Sequence, residues 1–252
     1  MHDFVFAIIA RSGSSRFPNK ISSYLGQHTI LETIEIQCRL VSQDFPIYLV
    51  TSDDKSDDKL VKVTDLDVFR GSLNNVLLRL KRFSQHLDSK NIVCILGDNP
   101  VVDSNIIKDV LKLHLESNSI YTASATNEYP NLTRTSGRFP IGTRIQIIAT
   151  KFLQNLKIEA IEKRYLEHPW AYFAEKMDPK SLNFLFAENQ YFELNRPELN
   201  FSVNYPANLK GLNLLYNHIQ SNNQKFSNKI ELGAFIDALD LNKQWLNLLG
   251  QQ

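Results

Sequence analysis

The sequence predicts an α/β fold in three layers: a mainly parallel sheet with helices on both faces. Short apolar runs alternate with amphipathic helical patterns through the first half of the chain. Strands separated by helices imply right-handed crossovers, which make neighbouring strands parallel and cover both faces of the sheet. The length of 252 residues suits one large domain, so we expect residues 1–252 to form a single domain with a small protruding arm.

The elements of the first half follow from their hydrophobic periodicity. Strands are predicted at residues 4–10, 47–51, 67–70, 92–96 and 120–125. Helices are predicted at residues 30–41, 75–87 and 106–115. Ser72 and Ser104 precede two of these helices and are predicted N-caps, because the first N–H groups of a helix need an acceptor.

The alternating pattern breaks at residues 127–140, where Asn, Pro, Thr, Ser and Gly accumulate. This composition is typical of a long exposed loop or an arm that leaves the domain. Beyond it we expect strands at residues 144–148, 183–186 and 200–203, and helices at residues 151–156, 159–177 and 209–219. The tail, residues 230–249, predicts two short helices that pack through Trp245.

The composition excludes several classes of protein. The 28 basic and 27 acidic side chains leave a formal charge of +1, which favours a small, locally charged ligand over nucleic acid or an anionic membrane. Cys38 and Cys94 lack the spacing of a zinc site, so we expect two buried, reduced thiols. The first apolar run is too short for a signal peptide, and none approaches the ~20 residues of a membrane span. We therefore expect a soluble cytoplasmic protein.

A basic, glycine- and serine-containing loop follows the first predicted strand, where ligands bind in open parallel sheets. Its backbone N–H groups can approach an anion closely, and its three cations can neutralise a polyphosphate. The loop lacks the glycine spacings of Walker A and of G-x-G-x-x-G, and a solvated basic turn is the alternative. The residues that we expect to bind the ligand here are Ala10, Arg11, Ser12, Gly13, Ser14, Ser15, Arg16 and Lys20.

Asp98 follows the buried strand at residues 92–96 and is expected near the same edge of the sheet. A carboxylate beside a triphosphate would repel it unless a cation intervened, and Mg²⁺ is usually bound by one or two carboxylates plus phosphate oxygens. Asp98 is therefore the predicted Mg²⁺ ligand. The alternative, for Asp98 and for Asp103, is that the side chain caps the following helix.

The basic loop resembles the A-R-x-G-S-x-R-x-P-x-K signature of cytidylyltransferases of the CMP-Kdo and CMP-sialate synthetase superfamily, and is most similar to the SpsF-like branch. The similarity extends over about residues 4–216. Further matches follow in the same order at residues 50–53, 68–72, 75–77, 96–103, 167–168 and 202–206.

The resemblance implies a nucleotide-diphospho-sugar transferase-like fold and a homodimer, with an arm within residues 127–180 that serves dimerisation or the acceptor. It also implies transfer of CMP from CTP to a sugar acid of a surface-glycan pathway, with release of pyrophosphate. Arg16 and Lys20 would hold the β and γ phosphates, and Mg²⁺ would bridge Asp98 to the α-phosphate. The alternatives are a nucleotide-binding homologue with weakened catalysis, a phosphonate or phosphate acceptor, and another nucleoside triphosphate.

Four further residues lie at strand ends where the base and ribose are expected: Thr51, Ser52, Asp53 and Arg70. For Asp53 there is an alternative, because it begins an acidic stretch with Asp54, Asp57 and Asp58 that is equally typical of solvated surface.

The chain departs from the family pattern at two positions. Asn204 stands where relatives carry a second metal-binding acid, which removes one negative charge from the predicted metal site. Arg144 lies in a predicted strand where relatives tend to be acidic; it either meets an acidic acceptor or is an exposed strand residue. Glu167 and His168 match a pair that lies near the acceptor in relatives, although a packed or surface histidine is the alternative.

Overall fold

The computed structural model describes residues 2–13, 15–129, 132, 134, 136–222 and 228–250. Its strands are β1 His2–Ile9, β2 Tyr24–Leu25, β3 His28–Thr29, β4 Ile47–Ser52, β5 Asp67–Gly71, β6 Ser89–Leu96, β7 Tyr121–Ser124, β8 Ile145–Ala149 and β9 Leu182–Leu185. Its α-helices are α1 Ile30–Val41, α2 Asp58–Lys62, α3 Val76–Gln85, α4 Ser104–Ser117, α5 Thr150–Asn155, α6 Arg164–Glu167, α7 Pro169–Lys176, α8 Pro206–Asn222 and α9 Leu232–Leu241. Short 3₁₀ helices occupy Lys20–Ser22, Lys55–Asp57, Ile158–Ala160, Pro179–Ser181, Asn189–Leu194 and Lys243–Leu248.

Seven strands form one sheet in the order β5-β4-β1-β6-β8-β7-β9. All neighbouring pairs are parallel except those that involve β8, which is antiparallel to β6 and to β7. The carboxyl ends of β1, β4, β5, β6 and β7 therefore share one edge with the amino end of β8. We call this the ligand edge, because ligands bind at the carboxyl ends of strands in open α/β sheets.

Two hydrophobic cores lie on opposite faces of the sheet. Phe4, Phe6 and Ile8 of β1 belong to one core, which packs against α1, α4, α8 and α9. Val5 and Ala7 belong to the other, which packs against α3, α5 and α7. Alternate residues of one strand thus face the two helical layers, which confirms the predicted three-layer α/β fold.

Several boundaries differ from the prediction for local reasons. The expected helix at residues 159–177 is divided into shorter helices, because Pro169 begins α7 and His168 takes a non-helical conformation before it. The expected strand at residues 200–203 forms only an isolated bridge from Asn200 to Ile141. The hairpin of β2 and β3 was not predicted, because two-residue strands carry too little alternation to be recognised.

The predicted N-caps shift to neighbouring residues with longer acceptors. Asn75 caps α3 by accepting from the Leu78 N–H, whereas the Ser72 hydroxyl accepts from the Asn75 N–H. Asp103, not Ser104, caps α4, which confirms the capping role considered for that aspartate.

Both cysteine thiols are buried and free, as predicted. Within the described ranges, every helix is too short or too polar to cross a membrane.

Candidate active site

A cavity of about 340 Å³ opens at the ligand edge, where β1 and β6 end. It contains residues from the basic loop, from the segment after β6, and from the α6–α7 junction. The lining residues are Ile9, Ala10, Arg11, Gly13, Ser15, Arg16, Lys20, Ile21, Val76, Arg79, Leu96, Gly97, Asp98, Glu167, His168 and Trp170. Arg16, Lys20, Asp98, Glu167 and His168 therefore share one cavity, whereas the predicted site residues Asn204 and Arg144 are not among its lining residues.

Lys20 and Asp98 form an ion pair inside this cavity. The Lys20 Nζ lies 3.1 Å from the Asp98 Oδ2 and donates a second hydrogen bond, 2.8 Å long, to the carbonyl oxygen of Val203. The Val203 N–H in turn donates to the Asp98 carbonyl oxygen over 2.8 Å. Three chain segments that are distant in sequence are thus joined at a single lysine.

Gly97 allows the loops after β1 and β6 to approach each other beneath this pair. A Cβ atom at Gly97 would lie 2.6 Å from the Ile21 side chain and 2.7 Å from the Ala10 Cβ. The Gly97 N–H also donates to the Ile9 carbonyl oxygen over 2.9 Å. A larger residue would push the basic loop away from Asp98.

Arg16 makes an analogous contact with the other predicted metal ligand. Its Nη2 donates to the Asn204 Oδ1 over 3.3 Å, and its guanidinium lies 5.5 Å from the centre of the Tyr205 ring. The Asn204 Nδ2 donates to the Ser202 hydroxyl over 2.9 Å, which orients the amide oxygen towards Arg16. Arg16 and Lys20 therefore each contact a predicted metal-binding oxygen.

Asp57, which sequence reasoning assigned only to an acidic stretch, anchors the start of the basic loop. Its fully buried carboxylate accepts from the Ser12 N–H over 2.5 Å, from the Thr51 hydroxyl over 2.9 Å, and from the N–H and hydroxyl of Ser52. Burial raises the pKa of this carboxyl, but hydrogen bonds from Ser52, Ser12 and Thr51 outweigh it and the net shift is downward. At Asp57 the solvated-surface alternative is wrong.

The residues predicted to meet the base and ribose lie outside the cavity lining. Thr51 and Ser52 are fully buried and their hydroxyl groups are bound to Asp57. Arg70 donates to the carbonyl oxygens of Ser52 and Asp54 and pairs with Asp58, so its donors hold the loop after β4. Asp53 is exposed. Ser14, which we predicted to bind the ligand, lies outside the described residues.

Arg79 lines the cavity and was missed, because a basic residue in an amphipathic helix gives no distinctive sequence signal. It is almost fully buried, and its guanidinium donates to the carbonyl oxygens of Ser72, Leu73 and Val50. Burial lowers the pKa of Arg79 to about 10, which leaves the side chain charged at neutral pH. This arginine therefore holds β4 and the loop after β5 against the cavity.

Glu167, His168 and Trp170 form the wall of the cavity at the α6–α7 junction. Glu167 pairs with the Arg11 Nη2 over 3.2 Å across an exposed part of the cavity, and the His168 and Trp170 rings are 5.2 Å apart between centres. Trp170 was not predicted as a site residue. Its position directly after the His168-Pro169 break was the available signal.

Arg144 is fully buried and immediately precedes β8, so the exposed-strand alternative for this residue is wrong. Its Nη1 lies 3.3 Å from the Glu128 Oε1, and its guanidinium lies 4.6 Å from the Trp170 ring centre and 5.4 Å from that of Tyr129. Arg144 thus lies behind the wall that Trp170 forms.

A divalent cation fits this site only together with a bound polyphosphate. Among the described residues, no group of three or more His, Cys, Asp or Glu side chains converges on a point. Asp98 and Asn204 offer a carboxylate and an amide oxygen, both now in contact with cations. Mg²⁺ commonly binds with one or two carboxylates when phosphate oxygens and water supply the other ligands, so this donor set is sufficient.

A mainly parallel sheet with a basic loop after β1 and an aspartate after β6, facing one cavity, defines a nucleotidyltransferase fold. The chain belongs to the cytidylyltransferase family, whose family model matches residues 5–136 and so includes the basic loop and Asp98. It is 24% identical over 224 residues to the spore coat polysaccharide biosynthesis protein SpsF of Bacillus subtilis, covering 86% of this chain and 87% of that protein.

Solved structures agree on the fold. A cytidylyltransferase from Leptospira borgpetersenii superposes with a TM-score of 0.81 at 21% identity, covering 100% of this chain and 99% of that one. A CMP:2-keto-3-deoxy-manno-octonic acid synthetase complexed with CTP superposes with a TM-score of 0.58 at 13% identity, covering 85% of this chain and 98% of that one. The resemblance and the fold expected from the sequence are therefore confirmed.

Proposed function

We propose that this chain transfers CMP from CTP to a sugar acid of a surface-glycan pathway and releases pyrophosphate. The observation that carries the proposal is that Arg16, Lys20 and Asp98 line one cavity, with Lys20 paired to Asp98 and Arg16 hydrogen-bonded to Asn204. The family membership, the role of SpsF in spore coat polysaccharide biosynthesis, and the CTP bound to the synthetase of similar fold support it.

In the proposed reaction a hydroxyl oxygen of the acceptor attacks the α-phosphorus of CTP. The bond from that phosphorus to the oxygen bridging the α and β phosphates breaks, and pyrophosphate leaves with its electron pair. His168 lines the cavity, and in this proposal it accepts the hydroxyl proton. Lys20 and Arg16 neutralise the charge that develops on the leaving group.

Asp98 and Asn204 are the residues that would hold Mg²⁺, which when bound supplies charge neutralisation at the phosphates. Lys20 and Arg16 contact these same oxygens in the structure. Binding of the nucleotide would exchange these contacts, so that the two cations turn from protein oxygens to phosphate oxygens. The basic loop is thereby held in position before the ligand arrives.

We also propose that the protein acts in the cytoplasm as a homodimer, with an arm within residues 127–180 at the subunit or acceptor interface. The proposal of a dimer rests on the family resemblance. Analytical ultracentrifugation of the purified protein tests it, and a monomeric mass at all concentrations would contradict it.

Pyrophosphate release from purified protein, Mg²⁺ and each of the four nucleoside triphosphates, with a panel of sugar acids and phosphonates, tests the function. We expect release with CTP and a sugar acid. Release with another nucleotide or only with phosphonates would overturn the proposed substrates while keeping the reaction class.

A second candidate function is nucleotide binding with weakened catalysis, which the replacement of an acid by Asn204 favours. Thermal stabilisation by CTP together with no pyrophosphate release from any acceptor in the panel would support this second function over the first.

A further inference from the structure

The Arg144 guanidinium is a fully buried cation whose N–H groups donate no hydrogen bond to the described part of the chain. None of its Nε, Nη1 and Nη2 atoms makes a hydrogen bond to the described residues, although the Nη1 lies 3.3 Å from a Glu128 oxygen. Buried polar groups are nearly always hydrogen-bonded, and an exception needs an explanation. Because Glu128 lies at an ion-pair distance without hydrogen-bond geometry, the N–H groups of the Arg144 guanidinium can still donate to another acceptor.

Another buried arginine, Arg138, has both terminal nitrogens hydrogen-bonded, and only its Nε lacks a partner among the described residues. The Arg138 Nη1 and Nη2 atoms donate to four backbone carbonyl oxygens, those of Thr126, Tyr129, Leu132 and Arg134. Arg144 has no comparable set of carbonyl acceptors in the part of the chain that the structure describes. Its unused donors therefore set it apart from an arginine that only supports a loop.

The position of Arg144 places it at the ligand edge, next to the cavity. The antiparallel register pairs Ile145 with Ile95, so Arg144 lies level with the end of β6, just before Asp98. Trp170 contacts the Arg144 guanidinium with its ring and also lines the cavity. Burial lowers the pKa of Arg144, but the charges of Glu128 and of neighbours that include Asp98 raise it more, so the cation is retained.

The surroundings favour a carboxylate over a phosphate. A guanidinium fork presents its donors in one plane, which matches the two coplanar oxygens of a carboxylate. Glu128 already offsets part of the single positive charge, so a dianionic phosphate would meet excess negative charge. The Trp170 and Tyr129 rings beside the guanidinium provide apolar surface that suits a planar group.

We propose that Arg144 forms a subsite for the carboxylate of the acceptor, beside Trp170 and next to the cavity that Lys20 and Asp98 line. The subsite rests on the proposed function, because it names the group by which that acceptor is recognised. Entry of the carboxylate shifts Trp170 away from the guanidinium. Trp170 and Trp245 are the two tryptophans of the chain, so a Trp245→Phe background leaves Trp170 as the reporter.

The experiment titrates the Trp245→Phe protein with pyruvate, the smallest 2-keto carboxylate, and with neutral pyruvamide, following Trp170 fluorescence with and without CTP and Mg²⁺. We expect a saturable change with pyruvate and none with pyruvamide. Arg144→Gln should weaken pyruvate binding at least about tenfold, since it removes charge-assisted hydrogen bonds. Glu128→Gln should tighten it, because a competing negative charge is removed.

Arg164→Gln is the matched control. Arg164 also lies over an aromatic ring, at 4.3 Å from the centre of Tyr165, and pairs with Glu175, but it is exposed and outside the cavity lining. Its replacement should leave pyruvate binding unchanged. Thermal unfolding shows whether Arg144→Gln folds. If it does not, the predicted tightening of pyruvate binding in Glu128→Gln still tests the subsite.

The absence of a saturable pyruvate response, or equal pyruvate affinity in the wild-type and Arg144→Gln backgrounds, would overturn the subsite. An equal loss for both Arg144→Gln and Glu128→Gln would also overturn it, since that pattern marks a structural ion pair. Thermal stabilisation by CTP and Mg²⁺ in the same proteins reports separately on the proposed function. If CTP and Mg²⁺ gave no thermal stabilisation, the proposed function would fail, but the pyruvate titration would still decide whether Arg144 binds a carboxylate.

Discussion

The Lys20 Nζ lies 3.1 Å from the Asp98 Oδ2, so the predicted phosphate-binding cation and the predicted metal-binding carboxylate contact each other. The pair is partly buried, with 12% of the Lys20 side chain and 30% of the Asp98 side chain exposed. Each group therefore occupies the place that a ligand of opposite charge would take. Binding of a metal–triphosphate complex would replace the Lys20–Asp98 ion pair with two contacts, one between Lys20 and a phosphate and one between Asp98 and the metal.

Asp98→Asn should have opposite effects on catalysis and on metal-free binding. Pyrophosphate release should fall to background, because the carboxylate that holds Mg²⁺ is lost. CTP affinity in the presence of a chelator should rise several-fold, since Lys20 no longer has a competing anion and the repulsion of the triphosphate is removed. Calorimetric titration with and without Mg²⁺ measures both effects.

Asp3→Asn is the control for that substitution, because Asp3 also pairs with a lysine, Lys90, but on the exposed surface. It should change neither activity nor CTP affinity. Full turnover by Asp98→Asn would remove Asp98 from the metal site.

Asp57→Asn should weaken both the fold and the nucleotide site. The substitution removes the charge of a carboxylate that accepts four hydrogen bonds and replaces one accepting oxygen with an NH2 donor, and should lower the free energy of unfolding by about 2–4 kcal/mol at neutral pH. CTP affinity should fall as well, because the Ser12 N–H loses its anchor. Urea unfolding and calorimetry test the two effects.

The difference in unfolding free energy between the wild-type and Asp57→Asn proteins should depend on pH, because the pKa of Asp57 is lowered in the folded state. The carboxylate stabilises the folded state above its unfolded pKa of about 3.9, and this contribution is lost as the pH falls through the lower folded value. The deficit of Asp57→Asn should therefore be constant through the neutral range and shrink only in strong acid. Asp58→Asn, at a half-buried position of the same stretch where the carboxylate pairs with Arg70, should show a smaller deficit; an equal deficit would contradict the anchor.

His114 should make the fold sensitive to mild acid. Its ring nitrogens contact the Thr122 hydroxyl and the Asn91 amide oxygen, and burial lowers its pKa to about 4. The unfolded chain binds a proton near pH 6.5, so stability falls as the pH drops from there towards about 4.

Between about pH 7 and about pH 5 this loss amounts to about 2 kcal/mol, and His114→Gln should remove it from the pH profile of the unfolding free energy. Replacing the exposed His86 with Gln is the control. Retention of the full acid sensitivity in His114→Gln would assign it to other groups.

Asn204→Asp should lower the Mg²⁺ concentration needed for half-maximal pyrophosphate release, because it restores a negative charge to the predicted metal site. Asn204→Ala should raise that concentration. A magnesium titration compares the three proteins. The same requirement in all three would place the metal elsewhere.

The sequence predicted the sheet, its two helical layers and the position of the basic loop at the ligand edge. Hydrophobic periodicity and the position after β1 are local signals, so the sequence alone carries them. It did not predict Asp57, whose role depends on a turn at Lys55–Asp57 that buries one of several adjacent acids. Thr51 and Ser52 were assigned to the ligand because a strand end shows where a residue lies, but not that a neighbouring carboxylate binds its hydroxyl. The environment of Arg144 depends on Glu128 and Trp170, which only the folded chain brings together.

The most direct test of the central claim is a calorimetric titration of CTP, with Mg²⁺ present, into wild-type, Lys20→Ala and Lys90→Ala proteins. Lys90 pairs with Asp3 at the exposed surface over 2.8 Å, which makes it the matched lysine outside the cavity. We predict that Lys20→Ala weakens CTP binding at least about tenfold, since a charged hydrogen bond to phosphate is lost, and that Lys90→Ala leaves it unchanged. Wild-type CTP affinity in Lys20→Ala would contradict the account.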